Sequence, residues 1–160
     1  SGIEVVPVET AQQMLDAVSL LAPSTDVVVM TAAVADFRPV HAVGGKIKKH
    51  KGIPEITLEA TPDILASLGA AKPKGQTLVG FAAETDDVLA NAQSKLQRKN
   101  LDMIVANDVS APGVGFGYDT NAVSILLADG QQIQVPLATK HTIATAVLDS
   151  VVKSRTTPRP

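Results

Sequence analysis

The chain has no cysteine and no tryptophan. Without cysteine there is neither a disulfide framework nor a thiolate metal site. Only four of the 160 residues are aromatic: Phe37, Phe81, Phe116 and Tyr118. With 45% apolar residues, the core must therefore be built from valine, isoleucine, leucine and alanine. All four aromatics fall near the ends of apolar runs, in or beside expected loops. Aromatics spared from the core are available to stack on a base. No long run of one charge occurs and the net charge is −2, which argues against a general nucleic-acid partner. No apolar run is long enough to span a bilayer and no signal-peptide pattern appears. The composition reads as a soluble, cytoplasmic protein with no membrane partner.

Several catalytic signatures are also missing. His41, His50 and His141 lack metal-ligand spacing. No serine sits in a nucleophile elbow and no phosphate-loop consensus is present. Gly113-Val-Gly115-Phe-Gly117 has the wrong spacing for a dinucleotide fingerprint and precedes an expected hairpin, so it reads as a flexible loop. With no covalent nucleophile, the chemistry expected is positioning and charge stabilisation.

What is present is an alternation of strand-like and helix-like segments in a length that suits one domain. Residues 3–8 read as a strand. Thr10 and Gln13 form a capping box that starts a helix to about residue 21. Residues 27–31 read as a buried strand, followed by a long loop through residue 51 and a short strand at 56–59. Thr61, Pro62 and Asp63 make a helix start, with Thr61 as the cap, and that helix runs to about residue 71. Residues 77–82 are the next buried strand, and Thr85 caps a helix over about 87–99. A buried strand at 103–107 and a glycine-rich loop at 108–121 follow. Strands at 122–127 and 132–136 flank Asp129-Gly130, a strong hairpin signal. A last helix covers about 142–153. This pattern predicts an α/β fold: a Rossmann-like three-layer αβα arrangement with a mostly parallel sheet and an added antiparallel hairpin.

The most informative stretch is 31–49, TAAVADFRPVHAVGGKIKK. A buried strand opens into small residues (Ala32, Ala33, Ala35), so a ligand can approach the backbone. Asp36 then serves either a turn or a ribose or base. Lys46, Lys48 and Lys49 follow the Gly44-Gly45 hinge, as a solvated charge run or as a basic loop over phosphates. This is the layout of a nucleotide site at the carboxyl end of a parallel strand. GFAAET at 80–85 ends a second strand in the same way, with Phe81 either in the core or beside a base. The Thr61–Ile64 segment either serves only as a helix start, for which it is sufficient, or offers its N–H groups to an anion or polar ligand. Lys95 and Lys99, four apart, either offset a helix dipole or contact phosphate.

In this order the motifs AAVADFRP (32–39), KIKK (46–49), TPDI (61–64), GFAAET (80–85), KLQRKNLDMIVANDVS (95–110) and GFGYDTNAVSIL (115–126) resemble the synthetase domain of bacterial phosphopantothenoylcysteine synthetase. That enzyme, phosphopantothenate–cysteine ligase, is usually fused behind a flavin decarboxylase. The resemblance implies CTP-dependent ligation of 4′-phosphopantothenate with cysteine through an acyl-cytidylate, in coenzyme A biosynthesis, assisted by Mg2+. FMN would belong to the fused decarboxylase domain and not to this chain. Met30, Thr31 and Ala32 would line the nucleotide and Asp36 would bind its cytidine part. Lys46 would hold the triphosphate and act as the catalytic cation. Thr61, Pro62, Asp63, Ile64 and Phe81 would complete the base and ribose pocket, and Lys95 and Lys99 the polyphosphate contacts.

The resemblance also implies a homodimer. The hairpin is expected at its interface through Val123, Ile125, Leu127, Ile133 and Val135. Relatives carry an earlier strand, a glycine- and arginine-containing loop, an asparagine motif and a helix. Residues 1–153 therefore read as an N-terminally truncated nucleotide-binding synthetase domain lacking its first strand–helix elements, with 154–160 a disordered tail. Two other readings compete: a nucleotide-binding or dimerisation module without full activity, and a dinucleotide-dependent oxidoreductase. The second needs a glycine fingerprint after a first strand, and none is found.

Overall fold

The computed structural model describes residues 2–41, 55–110, 113–114 and 117–156. Thr10 and Gln13 form the expected reciprocal box, and helix α1 runs over Ala11–Leu21. The sheet strands are β1 (Val27–Met30), β4 (Thr77–Glu84), β5 (Met103–Asp108), β6 (Thr120–Leu127) and β7 (Gln132–Thr139). They lie side by side in the order β1-β4-β5-β6-β7. The pairs β1–β4 and β4–β5 are parallel, whereas β5–β6 and β6–β7 are antiparallel. The hairpin is thus a continuation of the main sheet. Its turn places Gly130 at φ +90°, and the Asp129 carboxylate accepts from the Gln131 N–H at 2.9 Å. A residue with a side chain would be strained at that φ.

Strand alternation divides the core in two. Val28, Leu78, Ala82, Ile104, Ala106 and Leu126 face α1, α2 (Ile64–Ala71) and α3 (Val88–Arg98). Val79, Met103, Val105, Ile125 and Leu127 face α4 (Lys140–Thr156), through Ile143, Val147 and Val151. These are the three layers expected. Among the described residues no helix is long and apolar enough to cross a membrane.

Local expectations needed correction where pairing partners decide the outcome. Residues 3–8 form no strand: Ile3 and Val5 stand exposed, and among the described residues no strand pairs with this segment. The loop after β1 contains β2 (Phe37–Pro39), which pairs antiparallel with β3 (Leu58–Ala60) as a separate ribbon. Val123, Ile125 and Leu127 are buried, and Ile133 and Val135 pack against them, so these hairpin residues contribute to the chain's own core beneath α4. Residues 154–156 are helical, because Arg155 donates from Nη1 to the carbonyls of Asp26 and Gly75 and to Thr77 Oγ1. Residues 157–160 lie outside the described set.

Candidate functional site

Strand β1 stops at Met30 opposite Gly80 while β4 runs on to Glu84, and the chain after β1 runs through small residues into Asp36. The β2–β3 ribbon then brings back a segment distant in sequence. Its register sets Phe37 opposite Ala60, and Arg38 Nε donates to Glu59 Oε1 at 2.8 Å. As a result Thr61 lands beside Asp36. The Thr61 N–H donates to the Asp36 carbonyl at 2.9 Å, and the Thr61 hydroxyl donates to the Ala35 carbonyl. Thr61 therefore fastens two loop walls together and does not cap α2. The cap is Asp63, whose Oδ1 accepts from the Ala66 N–H at 3.0 Å.

The third wall comes from β4 and α3. Lys95 Nζ reaches Glu84 Oε1 at 2.5 Å, and Lys99 Nζ lies 2.9 Å from both Asp63 carboxylate oxygens. Burial, the largest influence on Asp63, pushes its carboxyl pKa up. The hydrogen bonds from Lys99 and the Ala66 N–H, with the charges of Lys99 and Arg98, outweigh it and hold the group below its ordinary value. Thr85 does not cap α3: its hydroxyl donates to the Asp86 carboxylate. The chain enters the helix through Asp87 in the left-handed region at φ 43°.

These walls enclose a cavity of about 260 Å³. It gathers Met30, Ala32, Asp36, Thr61, Pro62, Asp63, Ile64, Phe81, Lys95 and Lys99. Of the residues singled out from sequence, Thr31 lies away from this cavity and lines a second one, while Lys46 falls outside the described residues. Phe81 borders both cavities, and its side chain packs toward the α4 core.

The second cavity, of about 420 Å³, lies on the α4 face at the same ends of the strands. Asn107, Asn121 and Lys140 line it, and none of them was singled out from sequence. A signal existed: Asn107 ends the β5 apolar run as the small residues after Phe81 end β4. Glu84 was not singled out, and Asp63 was singled out as a pocket residue without its pairing to Lys99, because that contact joins segments far apart in the chain.

Chemically, the first cavity offers two ammonium groups held by carboxylates, small residues that admit a flat group, and Asp36 as an acceptor. Among the described residues no group of three histidine, aspartate or glutamate side chains converges as a metal site. Magnesium keeps much of its hydration and binds through phosphates with one or two carboxylates. Of the two aspartates in the cavity wall, Asp63 has both carboxylate oxygens on Lys99, which leaves Asp36.

The family model of the DNA/pantothenate metabolism flavoprotein C-terminal domain matches residues 1–154. The coenzyme A biosynthesis bifunctional protein CoaBC of Bacillus subtilis (strain 168) is 46% identical over 148 residues, covering 92% of this chain and 36% of that protein. A protein named cysteine/cysteine sulfinic acid decarboxylase, from an unknown prokaryotic organism, is 43% identical over 150 residues, covering 94% of this chain and 42% of that protein. The chain thus spans well under half the length of these curated relatives. Among solved structures, the C-terminal domain of the coenzyme A biosynthesis bifunctional protein CoaBC superposes with a TM-score of 0.73 at 42% identity, over 91% of this chain and 63% of that one.

Proposed function

Because this chain belongs to the family of the DNA/pantothenate metabolism flavoprotein C-terminal domain, we propose that it carries the CTP site of a phosphopantothenate–cysteine ligase acting in coenzyme A biosynthesis. The observation that supports this reading most is the first cavity, which collects nucleotide-site residues from β1, β4, the α2 start and α3 in one place. In the reaction proposed, a carboxylate oxygen of 4′-phosphopantothenate bonds to the α-phosphorus of CTP. The bond from that phosphorus to the bridging oxygen breaks, and pyrophosphate leaves. The cysteine amine then attacks the acyl carbon and loses a proton, and CMP leaves as the amide forms.

Each residue has a role that its surroundings support. Lys95 and Lys99 face the polyphosphate, where an ammonium acts as an adaptable point charge. Glu84 and Asp63 hold those ammonium groups in position before ligand arrives. Asp36 accepts from the cytidine part, and Ala32 leaves the backbone approachable. Magnesium, when bound with the triphosphate, would neutralise charge on the leaving pyrophosphate. Lys46 is proposed as the catalytic cation on the strength of the resemblance.

A narrower second reading is nucleotide binding without completed ligation. A homodimer and a fused flavin decarboxylase domain remain part of the proposal. Calorimetry with CTP, ATP and NADH tests the reading. CTP binding, with ATP weaker and NADH silent, is expected; equal binding of ATP or binding of NADH would overturn it. Product formation from 4′-phosphopantothenate, cysteine and CTP separates ligation from binding alone.

A further inference from the structure

The carboxylates that hold the two ammonium groups of the first cavity stand in different places. Glu84 pairs with Lys95 but is not among the residues that line the cavity. Asp63 does line it, so its carboxylate stands in the space that a phosphate on Lys99 would need. Both Asp63 oxygens lie 2.9 Å from Lys99 Nζ, and Oδ1 also accepts from the Ala66 N–H at 3.0 Å. An ammonium and a helix-start N–H thus meet on one carboxylate, as they would on a phosphate. The anion at the start of α2 is the chain's own.

The two members of this pair differ in exposure. The Lys99 side chain is 17% exposed and the Asp63 side chain 52%. Water can hydrate the carboxylate if the pair breaks, but a lone ammonium in the place of Lys99 would be poorly hydrated. The empty cavity therefore relies on Asp63 to keep Lys99 paired. A polyphosphate that takes Lys99 must break that pair first, and it meets a like charge at the same spot. When the polyphosphate leaves, the carboxylate is at hand to take the ammonium back. The backbone that carries Lys99 does not depend on Asp63. It is fixed by the next residue, Asn100, whose Nδ2 donates to the Gly69 carbonyl at 2.8 Å.

We propose that Asp63 is a resident competitor for the polyphosphate: it lowers the affinity of the cavity for pyrophosphate and so speeds the departure of the pyrophosphate formed in the first step. This rests on the ligase reading above. Asp63 acts through Lys99 and touches no reacting atom. The exchange makes and breaks no covalent bond. The Lys99 ammonium, with its protons, passes from the carboxylate to a phosphate oxygen and back. Two cations without such a carboxylate would hold the triphosphate well, but would hold the leaving pyrophosphate well too, and slow release limits turnover.

The test is calorimetry on the full 160-residue chain with magnesium present, titrating pyrophosphate, CTP and cytidine separately. Asp63→Asn and Asp63→Ser both keep a side-chain oxygen that can cap α2, and both remove the charge. Each should bind pyrophosphate about tenfold more tightly than the unaltered chain does. Cytidine affinity should stay unchanged, which also shows that the variants are folded. With Lys99→Ala already in place, Asp63→Asn should give a smaller gain, because the pair it breaks is gone. A residue that only positions Lys99 would give the opposite sign, since its loss would weaken pyrophosphate binding. If neither variant gains affinity for pyrophosphate while the unaltered chain binds CTP, the competitor is wrong and the nucleotide reading stands. An undiminished gain with Lys99→Ala in place would also overturn it. If the unaltered chain binds no CTP, the ligase reading itself fails, and the competitor with it.

Discussion

Gly69 lies so close to Lys99 that a Cβ on the glycine would stand 1.8 Å from the Lys99 carbonyl oxygen. The contact continues through Asn100, which takes φ 51° and donates from Nδ2 to the Gly69 carbonyl at 2.8 Å. The body of α2 is thereby locked to the end of α3. That lock sets Lys99 where its ammonium meets Asp63 at the start of α2. A packing contact outside the cavity thus places a cation inside it.

Gly69→Ala should therefore act on stability and on the site together. The added methyl meets backbone, which cannot rotate away, so α2 and the 99–100 segment must separate. Overpacking of this kind costs typically 1–3 kcal/mol. Denaturant unfolding should show a loss in the upper part of that range, and CTP affinity should fall as Lys99 shifts. A variant with unchanged midpoint and affinity would contradict the lock.

Asp63 gives the pH dependence. Its folded carboxyl titrates below its ordinary value. Between the two values the unfolded chain binds more protons, so stability rises with pH there. The contribution is fully present above about pH 3.9, the ordinary aspartate value, and is lost as pH falls through the folded one. Asp63→Asn keeps a capping side chain but removes the charge. Urea midpoints across acid pH should fall less steeply in the variant. Parallel acid limbs in the two proteins would show that the pairing with Lys99 adds nothing.

Much of this fold was legible because its signals are local. The Thr10–Gln13 box and Asp129-Gly130 each specify structure within a few residues, and both stand as read. Apart from Thr85, whose hydroxyl turns to the adjacent Asp86, the misreadings concern partners distant in the chain. Residues 3–8 have the composition of a strand, and among the described residues no strand pairs with them. The ribbon exists because Phe37 meets Ala60, a pairing that no short window reveals. Thr61 has the residue type of a cap, but the Ala35 carbonyl takes its hydroxyl. The packing of the hairpin's Val123, Ile125 and Leu127 beneath α4 likewise joins segments that no short window brings together. In the candidate site, the residue types and order were visible, whereas the pairing of Lys95 with Glu84 and of Lys99 with Asp63 was not.

The two lysines should discriminate phosphate from base. A hydrogen bond to a charged group contributes about 1.5–3 kcal/mol. Lys95→Ala and Lys99→Ala should each weaken CTP by about tenfold or more and leave cytidine unchanged. Because the lysines are neighbours serving one ligand, the double variant should depart from additivity. Equal losses for CTP and cytidine would assign the lysines to the fold instead.

Lys46 lies outside the described residues, and its role is tested by chemistry. Loss of a group that stabilises transition-state charge costs about 10²–10³ in rate. Lys46→Gln should reduce pyrophosphate release from CTP and 4′-phosphopantothenate by that factor, with little change in thermal midpoint. Undiminished release would remove Lys46 from the mechanism.

A crystal structure of this chain grown with CTP and magnesium decides whether the cavity between Asp36, Asp63 and the two lysines holds CTP. The expected result is the cytidine part against Ala32, Asp36 and the Thr61–Ile64 segment, with the phosphates at Lys95 and Lys99. Nucleotide bound anywhere else on the chain, with this cavity empty, would contradict it.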